Sequence, residues 1–147
     1  MKQHIVKEVK ILFNMIHRYI NNMSNFQQAQ KTTGANTWII AYVGKHDGKD
    51  IFQKDLEKEF SITRSTASKV IGLMEEKGLL IRESVDYDRR LKKIVLTKKA
   101  QKLYKGIKED FIQLENKLTN DFTQAEKDMF YSMILRCQHN MKQEQQT

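Results

Sequence analysis

The sequence predicts a mainly α-helical chain with one small β-hairpin, an α+β arrangement in which the hairpin directly follows a pair of short helices. Three observations lead there. Apolar residues recur at three- and four-residue steps through most of the chain, the period of a helix that packs on one side. Between Ile51 and Thr97 that period is cut by a Ser61-Ile62 turn and, after Gly78, by two short β-capable runs. There is no proline, so no helix is broken by one. At 147 residues the chain is one domain, or one compact unit with helices added to it.

The first helix is expected from Ile5 to about Phe26. Ile5, Val9, Leu12, Ile16, Tyr19 and Met23 form its stripe, and Val6, Phe13 and Ile20 widen it. A stripe that wide suits a bundle core and, in part, a subunit interface. The polar stretch from Phe26 to Asn36 reads as a loop. A second helix is expected over Thr37 to His46, with Trp38, Ile39, Tyr42 and His46 along one side and Trp38 in the core. Gly44, Gly48 and the polar run between them and Asp50 end it.

A short third helix, Gln53 to Phe60, puts Phe52, Leu56 and Phe60 on one face. Thr63 is placed to cap the fourth, its hydroxyl meeting backbone N–H groups left unpaired in the first turn. That helix spans Arg64 to Lys77 and stops at Gly78, a natural site for a left-handed residue. Its inward face is Ala67, Val70, Ile71 and Met74. The opposite face is Ser65, Lys69, Gly72 and Glu76, flanked by Thr66 and Ser68.

The hairpin is expected as strands Leu79–Ser84 and Leu91–Leu96 around a loop from Val85 to Arg90. Thr97 caps a long helix whose stripe is Ala100, Leu103, Tyr104, Ile107, Phe111, Leu114 and Leu118. Thr123 and Glu126 form a capping box that starts the last helix, with Phe130, Met133, Ile134, Cys137 and Met141 on its apolar side.

The fourth helix carries the most specific chemistry. Serine and threonine are indifferent helix formers, so a merely solvated face has no use for this many of them. A helix entering a major groove by its N-terminus needs short hydrogen-bonding side chains and a cation, as Arg64, Ser65, Thr66, Ser68 and Lys69 provide. The hairpin adds Arg89, Arg90, Lys92 and Lys93, with Asp88 two residues from Arg90 and able to hold its guanidinium. The net charge of +8 points the same way, toward a polyanionic partner.

Other classes lack support. There is no phosphate-binding glycine loop, nucleophile elbow or paired-histidine zinc motif, so no enzyme is expected. One cysteine rules out an internal disulfide and a multi-cysteine metal site, and Cys137 reads as packing. His4, His17, His46 and His139 lack ligand spacing, so neither metal nor cofactor is expected. No apolar run approaches membrane-spanning length, and the N-terminus does not lead into a signal peptide. The reading is of a soluble, cytoplasmic protein.

A helix–turn–helix followed by a hairpin is a winged helix. The run T-R-S-T-A-S-K-V-I-G-L-M-E-E-K-G-L-L-I-R, then D-R-R, then I-V-L-T-K-K-A, resembles the MarR (multiple antibiotic resistance regulator) family of bacterial transcription regulators. The resemblance is strongest from Leu56 to Thr97 and architectural elsewhere. It implies a homodimer on double-stranded DNA, a recognition helix in each major groove and a wing in the adjacent minor groove. Ser65, Thr66, Ser68 and Lys69 match the groove-facing positions, Arg90 the wing arginine and Asp88 its positioning aspartate. Many relatives carry proline where this chain has Val85-Asp86-Tyr87, and glycine where it has Ala100.

On that reading residues 1–33 and 98–147 dimerise and 34–97 bind DNA. The function expected is a repressor on a palindromic operator, released by a small aromatic or anionic effector near Phe13, His17, Trp38 and Tyr42. The alternatives are a winged-helix protein-interaction module, a metal-responsive regulator, or a redox-responsive one using Cys137.

Overall fold

The computed structural model describes residues 2–23 and 37–144. The chain divides into two compact units, Met1–Phe111 and Ile112–Thr147.

In the first unit α1 covers Ile5–Asn21. Only its C-terminal end is covered: Ile20 and Met23 are buried, whereas Ile5, Val6, Val9 and Phe13 are exposed. The described part of the helix closes at Asn22, whose N–H donates to Tyr19 O at 3.1 Å. The loop expected over 26–36 lies outside the described residues.

Helix α2 is Thr37–Lys45. Its inward face is Thr37, Ile39, Ile40 and Val43, which shares only Ile39 with the side expected. Trp38 is 48% exposed and lies against Phe111, ring centroids 4.7 Å apart, so its assignment to the core is corrected. The cause is the near-continuous apolar run from Trp38 to Val43, which leaves period alone unable to choose a side. Near the C-terminal end of this helix, Gly44 is fixed by packing: a Cβ there would stand 2.5 Å from the Tyr104 ring.

Helices α3 (Gln53–Phe60) and α4 (Arg64–Glu76) form the expected pair. The Asp55 carboxylate accepts the Phe52 N–H at 2.8 Å and closes the start of α3. Ser61 takes a left-handed conformation, φ 51°, which turns the chain sharply between the helices. Leu56, Ala67, Ile71 and Met74 are buried and set the angle between them. Gly78, φ 70°, ends the pair in the left-handed region favoured by glycine.

Strands β1 (Leu80–Val85) and β2 (Asp88–Leu96) form an antiparallel ribbon. Helix α5 (Lys98–Leu118) follows, begun by Thr97 Oγ1 accepting the Ala100 N–H at 3.3 Å. Ile39, Ile40, Val43, Ile51, Leu79, Leu80, Ile94, Leu96, Ala100 and Ile107 complete one core with the helix pair. Asp110, also buried, was not anticipated from the apolar stripe.

The second unit holds the rest of α5 and α6 (Gln124–Glu144). The capping box forms as expected: Glu126 Oε1 accepts the Thr123 N–H at 2.8 Å and Thr123 Oγ1 accepts the Glu126 N–H at 3.1 Å. These bonds from Thr123 hold the Glu126 carboxyl below its usual range. Phe122 meets Phe130 edge to face at 5.9 Å. No described side chain of α6 is buried. Cys137 is exposed, correcting its reading as a packed residue: among the described residues nothing covers it. No helix among the described residues is long and apolar enough to cross a membrane.

Candidate nucleic-acid interface

The N-terminus of α4 is built by one threonine. Thr63 Oγ1 accepts the Thr66 N–H at 3.2 Å, donates to Thr66 Oγ1 at 2.9 Å and lies 3.2 Å from Ser65 Oγ. The first turn is thereby fixed, with the partly positive end of the helix exposed. Arg64, Ser65, Thr66, Ser68 and Lys69 are all exposed, while Ala67 between them is fully buried. The face predicted to be outward is outward. The side chains of Arg64, Ser68 and Lys69 have no polar partner among the described residues, and so remain available to a ligand. Gly72 continues this face, with open space where a Cβ would stand.

The hairpin is tighter than expected. The strands are joined by only two residues, Asp86 and Tyr87, and Val85 stands opposite Asp88. The six-residue loop from Val85 to Arg90 is therefore corrected: Arg89 and Arg90 belong to β2. The polar run looked like a loop because both faces of an exposed two-stranded ribbon tolerate charge. The ladder slips at this point. Ser84 pairs with Lys92 but Val85 with Asp88, leaving Arg89, Arg90 and Leu91 as extra residues on β2. Such a bulge bends a strand and re-aims its side chains.

Asp88 organises the bulge. Its carboxylate accepts the Arg90 backbone N–H at 2.9 Å, and Arg90 Nε and Nη2 at 3.2 Å each. The two-pronged contact fixes both position and tilt of the guanidinium. Arg90 is 90% exposed while Asp88 is only 27% exposed, so an anchored base presents a projecting cation. The Arg90 side chain, then its backbone N–H, holds the Asp88 carboxyl below its usual range. Lys92 Nζ donates to Ser84 Oγ across the ladder at 2.6 Å, and Arg89 is exposed with no partner among the described residues.

Helix and hairpin are braced to each other by Arg82 Nε, which lies 2.6 Å from Glu75 Oε1. A second tie was also absent from the sequence reading. Asp50, in the segment before α3, accepts the Tyr87 hydroxyl at 3.0 Å and lies 3.6 Å from Lys93 Nζ. No periodicity reveals a contact between residues so far apart in the chain. Its one trace in sequence is Tyr87, in the wing turn.

The four effector candidates fall into different ring clusters. Phe13 stacks on His17 in α1, centroids 6.0 Å apart. Tyr42 contacts His46 at 4.4 Å and Phe60 at 5.8 Å, and Trp38 lies on Phe111. Burial first, then the charges of Glu59 and Asp55, raises the Tyr42 phenol above its usual range. Among the described residues no histidine, cysteine and carboxylate group has a metal-binding arrangement.

Known proteins share this fold. The model of the MarR family matches residues 31–91. An uncharacterised HTH-type transcriptional regulator of Bacillus subtilis (strain 168), YwoH, is 27% identical over 128 residues, covering 87% of this chain and 89% of its own. The crystal structure of the transcription regulator MarR from Oenococcus oeni PSU-1 has TM-score 0.79 and 30% identity, over 92% of this chain and 99% of that one. A MarR-family regulator from Listeria monocytogenes, solved with a 26mer DNA, has TM-score 0.73 at 23% identity, over 98% and 92% of the two chains. With the helix pair, the wing and this coverage together, the chain belongs to the MarR family of DNA-binding transcriptional regulators, which are not enzymes.

Proposed function

We propose that this chain is a cytoplasmic repressor that binds a palindromic operator as a homodimer. The observation that carries the reading is the pairing of two prepared surfaces. One is a capped helix with exposed, unengaged Arg64, Ser68 and Lys69; the other is a wing whose arginine is held outward by Asp88. On this reading Ser65, Thr66, Ser68 and Lys69 meet base edges. Arg64, Arg89 and Lys92 contact phosphates, and Arg90, set by Asp88, enters the neighbouring minor groove. A relative of the same fold solved with a 26mer DNA supports DNA as the ligand.

The homodimer is supported by apolar surface that a lone chain leaves in water. Val6 is 84% exposed, Ile5 69%, Met129 61% and Met141 63%, on the two helices at the ends of the chain. Exposed apolar side chains gathered on each of these helices are the mark of an interaction site. We assign residues 1–33 and 98–147 to dimerisation and 34–97 to DNA. A twofold dimer reads half-sites about 10 bp apart. Release follows when a small aromatic or anionic effector, at Phe13, His17, Trp38 and Tyr42, binds the DNA-incompetent spacing of the two wings better than the competent one.

The test is selection of duplexes from a random pool, followed by anisotropy titrations and sedimentation. An inverted repeat bound by a dimer is expected. Lys69→Ala costs about 1–3 kcal/mol and relaxes base preference. Arg90→Ala weakens all sequences and lowers the salt slope by about 1. Selection of no motif, or both variants binding as the parent does, refutes the docking.

A further inference from the structure

We infer that Asp50 is a positioning residue for the wing: from outside the helix pair and the hairpin, it latches the hairpin at the angle that presents Arg90. The inference rests on the wing docking proposed above.

Asp50 follows the turn that ends α2 and precedes Ile51, which is buried. The Ile51 carbonyl accepts the Ile94 N–H at 2.7 Å, so this segment is pinned to the root of β2. From that fixed base the Asp50 carboxylate reaches two points on the ribbon. Oδ2 accepts the hydroxyl of Tyr87, one of the two turn residues, at 3.0 Å. Oδ1 faces Lys93 Nζ at 3.6 Å, and Lys93 also faces Glu83 Oε2, across the ladder, at 3.9 Å. One carboxylate therefore grips the turn and the middle of the strand, on either side of the bulge that carries Arg90. A two-stranded ribbon has no third strand to hold its tilt, and isolated hairpins are marginal. The latch supplies that restraint.

The inference has an unusual sign. Asp50 is an acid in a protein that binds a polyanion. By charge alone its removal, which takes the formal net charge from +8 to +9, strengthens DNA binding. The latch requires the opposite.

The experiment measures affinity of the full chain for a duplex selected by the parent protein, across a salt series, with thermal melts alongside. Asp50→Asn and Tyr87→Phe are each expected to weaken binding about fivefold, the scale of losing one charge-assisted hydrogen bond that fixes a contact. Tyr87→Phe changes no charge and removes one exposed hydroxyl, so it carries the test if Asp50→Asn melts early. Asp47→Asn makes the same charge change three residues earlier, where the Asp47 side chain has no partner among the described residues. It is expected to leave affinity equal or higher. In an Arg90→Ala background, Asp50→Asn is expected to add less than it does in the parent, since the guanidinium is gone and only Arg89 and Lys92 remain for the latch to place. A general structural defect would instead add in full. The latch is overturned if Arg90→Ala weakens binding while Asp50→Asn and Tyr87→Phe bind as tightly as Asp47→Asn, or if the Asp50 and Arg90 effects are additive. If Arg90→Ala itself changes nothing, the wing docking fails and takes the latch with it.

Discussion

Gly72 is where the stability of the recognition helix and its proposed task oppose one another. It lies in the last half of α4, inside a helix of 13 residues, and costs that helix about 1 kcal/mol relative to alanine. Nothing in the fold requires the glycine. Its φ is not in the left-handed region, and an added Cβ meets no atom within 4 Å. Gly72→Ala is therefore expected to stabilise the protein by about 0.8–1 kcal/mol and raise the melting temperature by about 3 °C. On DNA the expectation reverses. Gly72 is three residues from Lys69 and four from Ser68, hence their neighbour on the outward face. A methyl group there lifts the helix from the groove and lengthens the Lys69 contact, with a loss of about 1–2 kcal/mol in binding. Differential scanning calorimetry and anisotropy on one preparation read both effects. A variant that melts higher and binds as well as the parent refutes the close approach of α4 to DNA. One that melts lower refutes the account of the helix.

Three further outcomes follow from the packing and the caps. Gly44→Ala drives a Cβ into the base of the Tyr104 ring, not its flexible end, and should cost about 1–3 kcal/mol in chemical unfolding. Thr97→Val keeps shape but removes a hydroxyl that caps Ala100 and donates to Gly78 O at 2.7 Å. It should cost about 1–3 kcal/mol in chemical unfolding. Asp88 is held below its usual range by Arg90, so their pairing is fully present above the unfolded aspartate value and is lost only as pH falls through the lower folded one. The Asp88 carboxyl carbon shift should titrate below that of free aspartate, and Arg90→Ala should move it up toward the ordinary value while the Arg90 backbone N–H still holds it in part; no change on that substitution would show the pair does not form in solution.

What could be read from the sequence was local. The Thr63 cap, the outward face of α4, the left-handed Gly78, the Thr97 cap and the Thr123–Glu126 box each need only residues within a turn or two, and each is present. Readings failed where neighbours distant in sequence decide. The apolar run from Trp38 to Val43 presents two faces of similar character, and the rest of the core selects Ile39, Ile40 and Val43 over Trp38. The wing turn shrank to two residues because ladder pairing, invisible in a charged ribbon, extends to Val85 and Asp88. The Asp50–Tyr87 tie has no periodic signature at all.

These long-range ties explain why a helix and a ribbon can act as one reading head. Thr97 does more than begin α5. Its N–H donates to Leu79 O at 3.0 Å and its hydroxyl to Gly78 O, so the start of α5 is bonded to the backbone that ends α4. Lys99 Nζ adds a bond to Lys77 O at 3.3 Å. Arg82 and Glu75 fasten β1 to the last turn of α4, and Asp50 fastens the wing turn to the segment before α3. An isolated hydrogen bond or exposed ion pair is weak, about 1 kcal/mol or less. Several that close loops around one small core restrict relative motion more than any single pair does. The recognition helix, the wing and the first turns of α5 are then expected to shift together. In the proposed dimer, a change in the spacing between the two copies would move each reading head as a body, so weak binding by a misplaced dimer would require no distortion of the helix–turn–helix itself.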